Sequence, residues 1–127
     1  MDEETTVETT PEVSVGESIL KTISHMIGPS EDYDYFNTDL IVHINGAFSR
    51  LCQLGVGPST PFHITGDSEV WTDFIADEGY MEDVKQFVYF YVRHDFDPPT
   101  NGAAMDALEK RIDKQEWLLN SVAEVGY

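Results

Sequence analysis

The stretch "FNTDLIVHINGAFSRLCQLG", residues 36–55, decides the fold. Its apolar residues Phe36, Leu40, Ile41, Ile44, Ala47, Phe48, Leu51 and Leu54 recur at intervals of three and four. That spacing lines one side of an α-helix, whereas a half-buried strand would alternate every second residue. A helix with such a side is stable only when the side is buried against other elements. Gly55, Gly57 and Pro58 follow at once. Gly55 falls at the C′ position, where the backbone turns to positive φ and glycine is favoured. Upstream, "SEDYDYF" (residues 30–36) reads as a loop with capping residues, and Asp34 is its expected N-cap.

Toward the N-terminus, Ile19, Leu20, Ile23, Met26 and Ile27 predict a short first helix stopped by Gly28-Pro29. Residues 1–16 are rich in Thr and Glu and offer little to bury, so a disordered acidic extension is expected there and a folded domain over residues 17–127. Toward the C-terminus, residues 55–69 hold several turn-forming residues, and "FHIT" (Phe62 to Thr65) alternates like a short strand. A helical turn is expected around Trp71–Ile75. A further helix is expected from about Met81, with Glu82 and Asp83 in its first turn, where the helix dipole favours acids. It runs through Val84, Phe87, Val88, Tyr91, Val92 and Phe96 until Pro98-Pro99 forces Asp97 out of helical geometry. The last helix is expected over Gly102–Val122, with Ala104, Leu108, Ile112, Gln115 and Leu119 as its inner stripe. The expected architecture is mainly α: a small bundle of about four helices with one long loop carrying a short extended segment.

The chain has 127 residues, with seven Lys+Arg against 24 Asp+Glu and a formal net charge of −17. Such a surface repels phosphate backbones, which argues against a general nucleic-acid binder. Two uses of the charge stay open: a solvated, self-repelling surface, or an acidic face offered to a basic partner. The single cysteine, Cys52, excludes an internal disulfide and a cysteine-based zinc site. No segment approaches the roughly 20 apolar residues that span a bilayer. The acidic start "MDEETTVETTPEVSVGE" has no apolar core of a secretory signal, so a cytoplasmic site of synthesis is expected and no membrane partner.

The densest concentration of reactive residue types is "YVRHDFDPP", residues 91–99. His94 and Asp97 stand three apart, so on a helix they would share a face. A metal site needs at least three converging ligands, and His25, His43 and His63 lie on separate segments with no HxxxH or HxH pairing. At a helix C-terminus, by contrast, Arg93 and His94 are well placed to face exposed carbonyls. The stretch therefore reads as architectural. Gly55-Val56-Gly57-Pro58 follows a helix and lacks the lysine of a phosphate loop. Ser49 and Ser59 have no nucleophile-elbow glycines, and the acid pairs Glu31-Asp32, Asp77-Glu78 and Glu82-Asp83 lack the spaced oxygen ligands of a calcium loop. No enzyme, metal or cofactor is expected. Trp71, beside Phe74 and Ile75, reads as a core anchor, while Trp117 lies one position off the inner stripe of the last helix. Candidate contacts with neighbouring chains are Val56, Phe62 and Ile64 in the loop, and Trp117 with Leu118 on the last helix.

Taken in order, "ESILKTISHMIGPSEDYDYFNTDL", "INGAFSRLCQLGVGP", "WTDFI", "VKQFVYFYVRHDFDPPT" and "LEKRIDKQEWLLN" resemble the head–tail connector proteins of tailed bacteriophages, also called adaptor or head-completion proteins. The resemblance covers about residues 17–120, and residues 1–16 depart from it. It implies a structural virion protein without enzymatic chemistry: a helical bundle assembling as a homo-oligomeric ring of about twelve copies by rotation of one contact. Such a ring docks under the portal protein, continues the DNA channel without sequence-specific binding, and offers a surface to a tail, stopper or tail-terminator protein. It further implies a place at the head–tail interface of the virion, after assembly in the host bacterial cytoplasm. The alternative of a different class is an acidic DNA mimic that inhibits a nucleic-acid-binding protein. A mimic should spread its carboxylates over one exposed face, whereas here many fall in the N-terminal tail and the loops.

Overall fold

The computed structural model describes residues 17–28 and 36–125. The expected N-cap Asp34, the stop at Pro29 and the N-terminal extension lie outside the described residues. Among the described residues five helices follow in order: α1 (Ile19–Ile27), α2 (Asn37–Gln53), α3 (Trp71–Phe74), α4 (Glu78–Phe96) and α5 (Gly102–Val125).

The periodic stretch that opened the reading is α2, and its inner side is buried as the spacing requires. Leu40, Ile44, Ala47, Phe48 and Leu51 are all buried in its core face. Burying side chains of this size stabilises by about 1.5–3 kcal/mol each. Helix α2 ends where expected, with Gly55 at φ 82. The chain then turns back so that Val56 N–H donates to Leu51 O at 2.9 Å.

Helix α4 is the partner of both long helices. Phe36 and Phe96 meet edge-on at 5.9 Å between ring centroids, and Gly46 lies beside the Tyr91 ring. The N-terminal end of α2 therefore meets the C-terminal end of α4, and the two run antiparallel. Gln115 on α5 donates to Asp83 O on α4 at 3.1 Å, while His94 on α4 reaches Glu109 on α5, so this pair is antiparallel as well. Phe87, Val88 and Val92 of α4 are fully buried between its neighbours. That is why the block "FVYFYV" is apolar around most of its circumference. On α5, Leu108, Gln115 and Leu119 of the expected stripe are buried, with Ala104 and Ile112 half-buried.

Helix α1 is stitched to the segment before α3. Ile19 N–H donates to Glu69 O at 3.0 Å and Trp71 N–H donates to Glu17 O at 3.3 Å, flanking an antiparallel bridge between Ser18 and Val70. The Trp71 indole is fully buried, and its N–H is satisfied by Thr22 Oγ1 at 3.1 Å. Trp71 is the core anchor its neighbours predicted.

Three expectations need correction. Helix α4 begins at Glu78, not near Met81, because Asp77 caps it by accepting from Gly79 N–H at 2.8 Å. Glu82 and Asp83 thus fall beyond the first turn. Met26 is 41% exposed, since four apolar residues per two turns already fill the contact face of so short a helix as α1. The segment Phe62 to Thr65 pairs with no strand among the described residues. Its alternation survives as burial, with Ile64 inside and His63 and Thr65 outside, but its backbone is satisfied by a side chain.

Candidate functional site

That side chain is Asn45. Its Oδ1 accepts from Ile64 N–H at 2.7 Å and its Nδ2 donates to Ile64 O at 3.0 Å. One amide on α2 thereby takes the place of a neighbouring strand and holds the loop against the bundle. Glu69 closes the far end by accepting from Thr65 N–H and Thr65 Oγ1, both at 2.9 Å. These hydrogen bonds to the ionised form lower the Glu69 pKa against the opposing effect of desolvation.

Of the residues expected at subunit contacts, Val56 and Ile64 are each only 2% exposed and lie in the chain's own core. Phe62 is half-buried in an aromatic cluster, with ring centroids 5.0 Å from Phe48 and 5.4 Å from Phe74. Gly57, at φ 86, passes so close to Phe74 that a Cβ would run into the ring. The loop is thus packed through Val56, Phe62 and Ile64 against the chain's own core. The α5 residues stand differently: Trp117 is 69% exposed and Leu118 half-buried. The structure brings the three loop residues together and leaves the α5 pair on a separate face.

The Arg93–Pro99 stretch ends α4 as expected, with Asp97 at φ −143 and ψ 62. Leaving the helix takes Asp97 away from His94, so the pair suggested by their spacing is not formed. His94 instead meets two other carboxylates, Asp95 Oδ1 from Nδ1 at 2.8 Å and Glu109 Oε2 from Nε2 at 3.0 Å. Both favour the imidazolium, Glu109 more than Asp95, and they raise the His94 pKa above its ordinary value despite partial burial. Arg93 donates to the Tyr89 hydroxyl at 3.2 Å rather than to the last carbonyls of the helix. His94, Asp95 and Glu109 line an open groove of about 490 Å³ with Tyr91, Ile112 and Asp113. Among the described residues no group of three His, Cys, Asp or Glu side chains could hold a metal ion. The His94–Glu109 contact in this groove fastens α5 to α4.

Arg50 and Lys85 do the same kind of work at other joints. Arg50 on α2 makes a two-pronged contact with Glu116 on α5, Nε to Oε2 at 2.9 Å and Nη2 to Oε1 at 3.0 Å. Nearby, Asn120 donates to Leu54 O at 3.1 Å, so α2 and α5 are tied in parallel at this end. Lys85 joins Glu17 at 3.1 Å and lies over the Trp71 ring at 5.8 Å. None of these pairs is visible in the sequence, because Arg50 and Glu116 stand 66 residues apart and nothing local links them. Asn45 had a local signal: a lone amide beside an apolar helix stripe must find a backbone partner if half-buried.

The molecule is thus a helical scaffold in which pairs of polar groups hold elements in register. The chain matches the model for phage connector proteins over residues 19–126 and belongs to that family. The match takes in most of the span of the resemblance read from the sequence and continues past it on α5. No curated protein and no solved structure matches the chain. Its role is that of a structural connector.

Proposed function

We propose that the chain is a ring-forming head–tail connector of a tailed phage. Copies dock under the portal protein, continue the DNA channel and present the surface on which a tail, stopper or tail-terminator protein attaches. The observation that carries this reading is the family match over residues 19–126. The polar clusters support it, since each one that joins elements tightens the bundle as a rigid subunit must be tightened. The reading includes no catalysis and no cofactor. It places the protein at the head–tail interface of the virion, in a ring of about twelve copies related by rotation. The net charge of −17 suits a channel wall that repels passing DNA and binds no particular sequence.

Among the residues proposed at the contacts, Trp117 carries the exposed apolar surface and Leu118 beside it is half-buried. Val56, Phe62 and Ile64 hold the loop whose outer side faces a neighbour or the portal. Electron microscopy of the purified chain mixed with portal tests the reading. Rings seated on portals are the expected result. A soluble monomer that leaves portals bare and sequesters a DNA-binding enzyme would establish the acidic mimic instead.

A further inference from the structure

The seam between α4 and α5 opens on two sides of opposite charge. One side is the groove at His94, which Asp95, Glu109 and Asp113 also line. On the other, two hollows of about 290 Å³ each meet at Phe90 and Arg111. Tyr89, Arg93, Ala107 and Leu108 continue the first hollow, and Gln86, Lys114 and Gln115 the second. No acid among the described residues lines either one. At about 100° per residue, Leu108, Arg111 and Lys114 span an arc of roughly 120° on α5. Asp106, Glu109, Asp113, Glu116 and Glu124 all fall outside that arc. On α4 the nearest acids stand at the ends of the seam, Glu82 and Asp83 toward one and Asp97 at the other, and Glu82 lies 3.7 Å from Lys85.

The chain has seven Lys and Arg. Lys21, Arg50 and Lys85 are each paired with an acid. Arg93, Arg111 and Lys114 are paired with none among the described residues, and all three line this side of the seam. Arg93 donates to the Tyr89 hydroxyl at 3.2 Å, and Arg111 lies over the Phe90 ring at 5.8 Å. Both contacts hold a cation in place without neutralising it. The seventh, Lys110, shares the exposed outer face of α5 with Asp106 and Asp113 and lies outside the seam.

We propose that residues 1–16 of this chain dock on the Arg93–Arg111–Lys114 side of the seam. That segment, outside the described residues, carries Asp2, Glu3, Glu4, Glu8 and Glu12 and no lysine, arginine or histidine. Its Val7, Val13 and Val15 suit the apolar surface of Phe90, Ala107 and Leu108. The chain's path brings it there. Glu17, the first described residue, accepts from Lys85 Nζ at 3.1 Å. Lys85, Tyr89 and Arg93 follow at intervals of four on one side of α4, so Arg93 lies about 12 Å beyond that anchor. The segment extends to about 50 Å, several times the distance needed. Its tether makes the contact intramolecular, at an effective concentration on the order of millimolar, so ion pairs that are individually weak suffice together. Elsewhere the segment meets a body that is itself acidic and repels it. The proposal goes beyond the ring reading and does not rest on it.

Carbodiimide cross-linking of the full chain, read by peptide mass spectrometry, tests it, because this chemistry joins carboxylates to lysine and not to arginine. Lys114 reports on the seam, and the exposed Lys110 is its control. Carboxylates of residues 1–16 are expected to couple to Lys114 at least about tenfold more than to Lys110. In a mixture of unlabelled and nitrogen-15 chains, the coupled peptides are expected to come from one chain. Arg93→Glu with Arg111→Glu is expected to bring Lys114 down to the level of Lys110 while circular dichroism stays unchanged. Salt gives the same reading without a variant: at about 1 M, where screening acts within about 3 Å, the preference for Lys114 is expected to vanish. Equal coupling at the two lysines, no coupling at either, or a preference that survives both the variant and the salt overturns the proposal. Products that join only labelled to unlabelled chains overturn it too, since the segment then sits on another copy. Portal binding reads the ring reading separately, because rings on portals require none of these outcomes.

Discussion

Val56, Phe62 and Ile64 in the loop after α2, and Trp117 on α5, are apolar residues outside any helical inner stripe. The first three are packed against the chain's own bundle, with Val56 and Ile64 at 2% exposure, whereas Trp117 is 69% exposed. The same residue class thus serves the fold in one region and the surface in the other. What separates them is backbone chemistry. In the loop, Ile64 has a partner for both its N–H and its C=O in Asn45, and Gly55 and Gly57 supply the positive-φ turns. Trp117 belongs to a helix whose backbone is already satisfied, so its side chain follows the helical phase wherever that points.

The strongest way to break this comparison is Ile64→Asp. A carboxylate in the place of a core side chain has no partner, and the cost is expected to be about 4 kcal/mol or more. Urea denaturation followed by circular dichroism should show the cooperative transition lost or displaced far toward water. A variant that melts like wild type would mean that the loop is not part of the core. It also follows that joining Phe62→Asp to Ile64→Asp cannot separate assembly from folding.

Gly57→Ala sharpens the comparison within the loop. Both Gly55 and Gly57 have positive φ, which costs a side chain about 1–2 kcal/mol. A Cβ at Gly55 meets only Ala123 Cβ at an ordinary 3.7 Å, while one at Gly57 collides with the Phe74 ring. Gly57→Ala should therefore add a packing cost of about 1–3 kcal/mol to the backbone strain. Thermal melts of the two alanine variants check this, with Gly57→Ala lower. Equal melting temperatures would show that Phe74 yields freely.

Periodicity made four helices legible, because an apolar stripe at three-and-four spacing has one stable solution. It located α2, the inner stripe of α5 and the end of α4 at Pro98-Pro99, since these depend on local steric rules. It placed the start of α4 too late, because Asp77 caps through a single side-chain contact that charge preference alone does not reveal. The loop was misread as strand-like because alternating burial looks the same whether a strand or one asparagine satisfies the backbone. The His94 contacts were hidden for a related reason: Glu109 lies on another helix, and spacing within "RHDFD" pointed to Asp97 instead. Family membership was legible because it rests on the order of many residues and not on any one contact.

His94 gives a smaller, pH-dependent test of the joint between α4 and α5. Its folded pKa is raised, first by Glu109 and then by Asp95, so its contribution to stability is present in full below the ordinary histidine value of about 6.5. It is lost as pH rises through the folded pKa. His94→Gln should therefore lower the melting temperature at about pH 6 and approach wild type at about pH 9. A melting difference that is the same at both pH values would mean that the ring acts by packing alone.

The smallest effect on stability is expected at the residue with the largest proposed role in assembly. Trp117→Ser removes a side chain that is 69% exposed and opposite the buried stripe of α5. Surface substitutions away from buried contacts usually change stability by no more than about 0.5 kcal/mol, so the melting temperature should stay close to wild type. Serine costs a helix a few tenths of a kcal/mol in propensity, which falls within that range. The reverse result, a loss of about 2 kcal/mol or more, would place Trp117 among the residues that hold the bundle together, as Ile64 does. An unchanged melt with an intact fold leaves the indole's apolar surface without a use inside the chain. Its use then lies outside it, on whatever the α5 face meets.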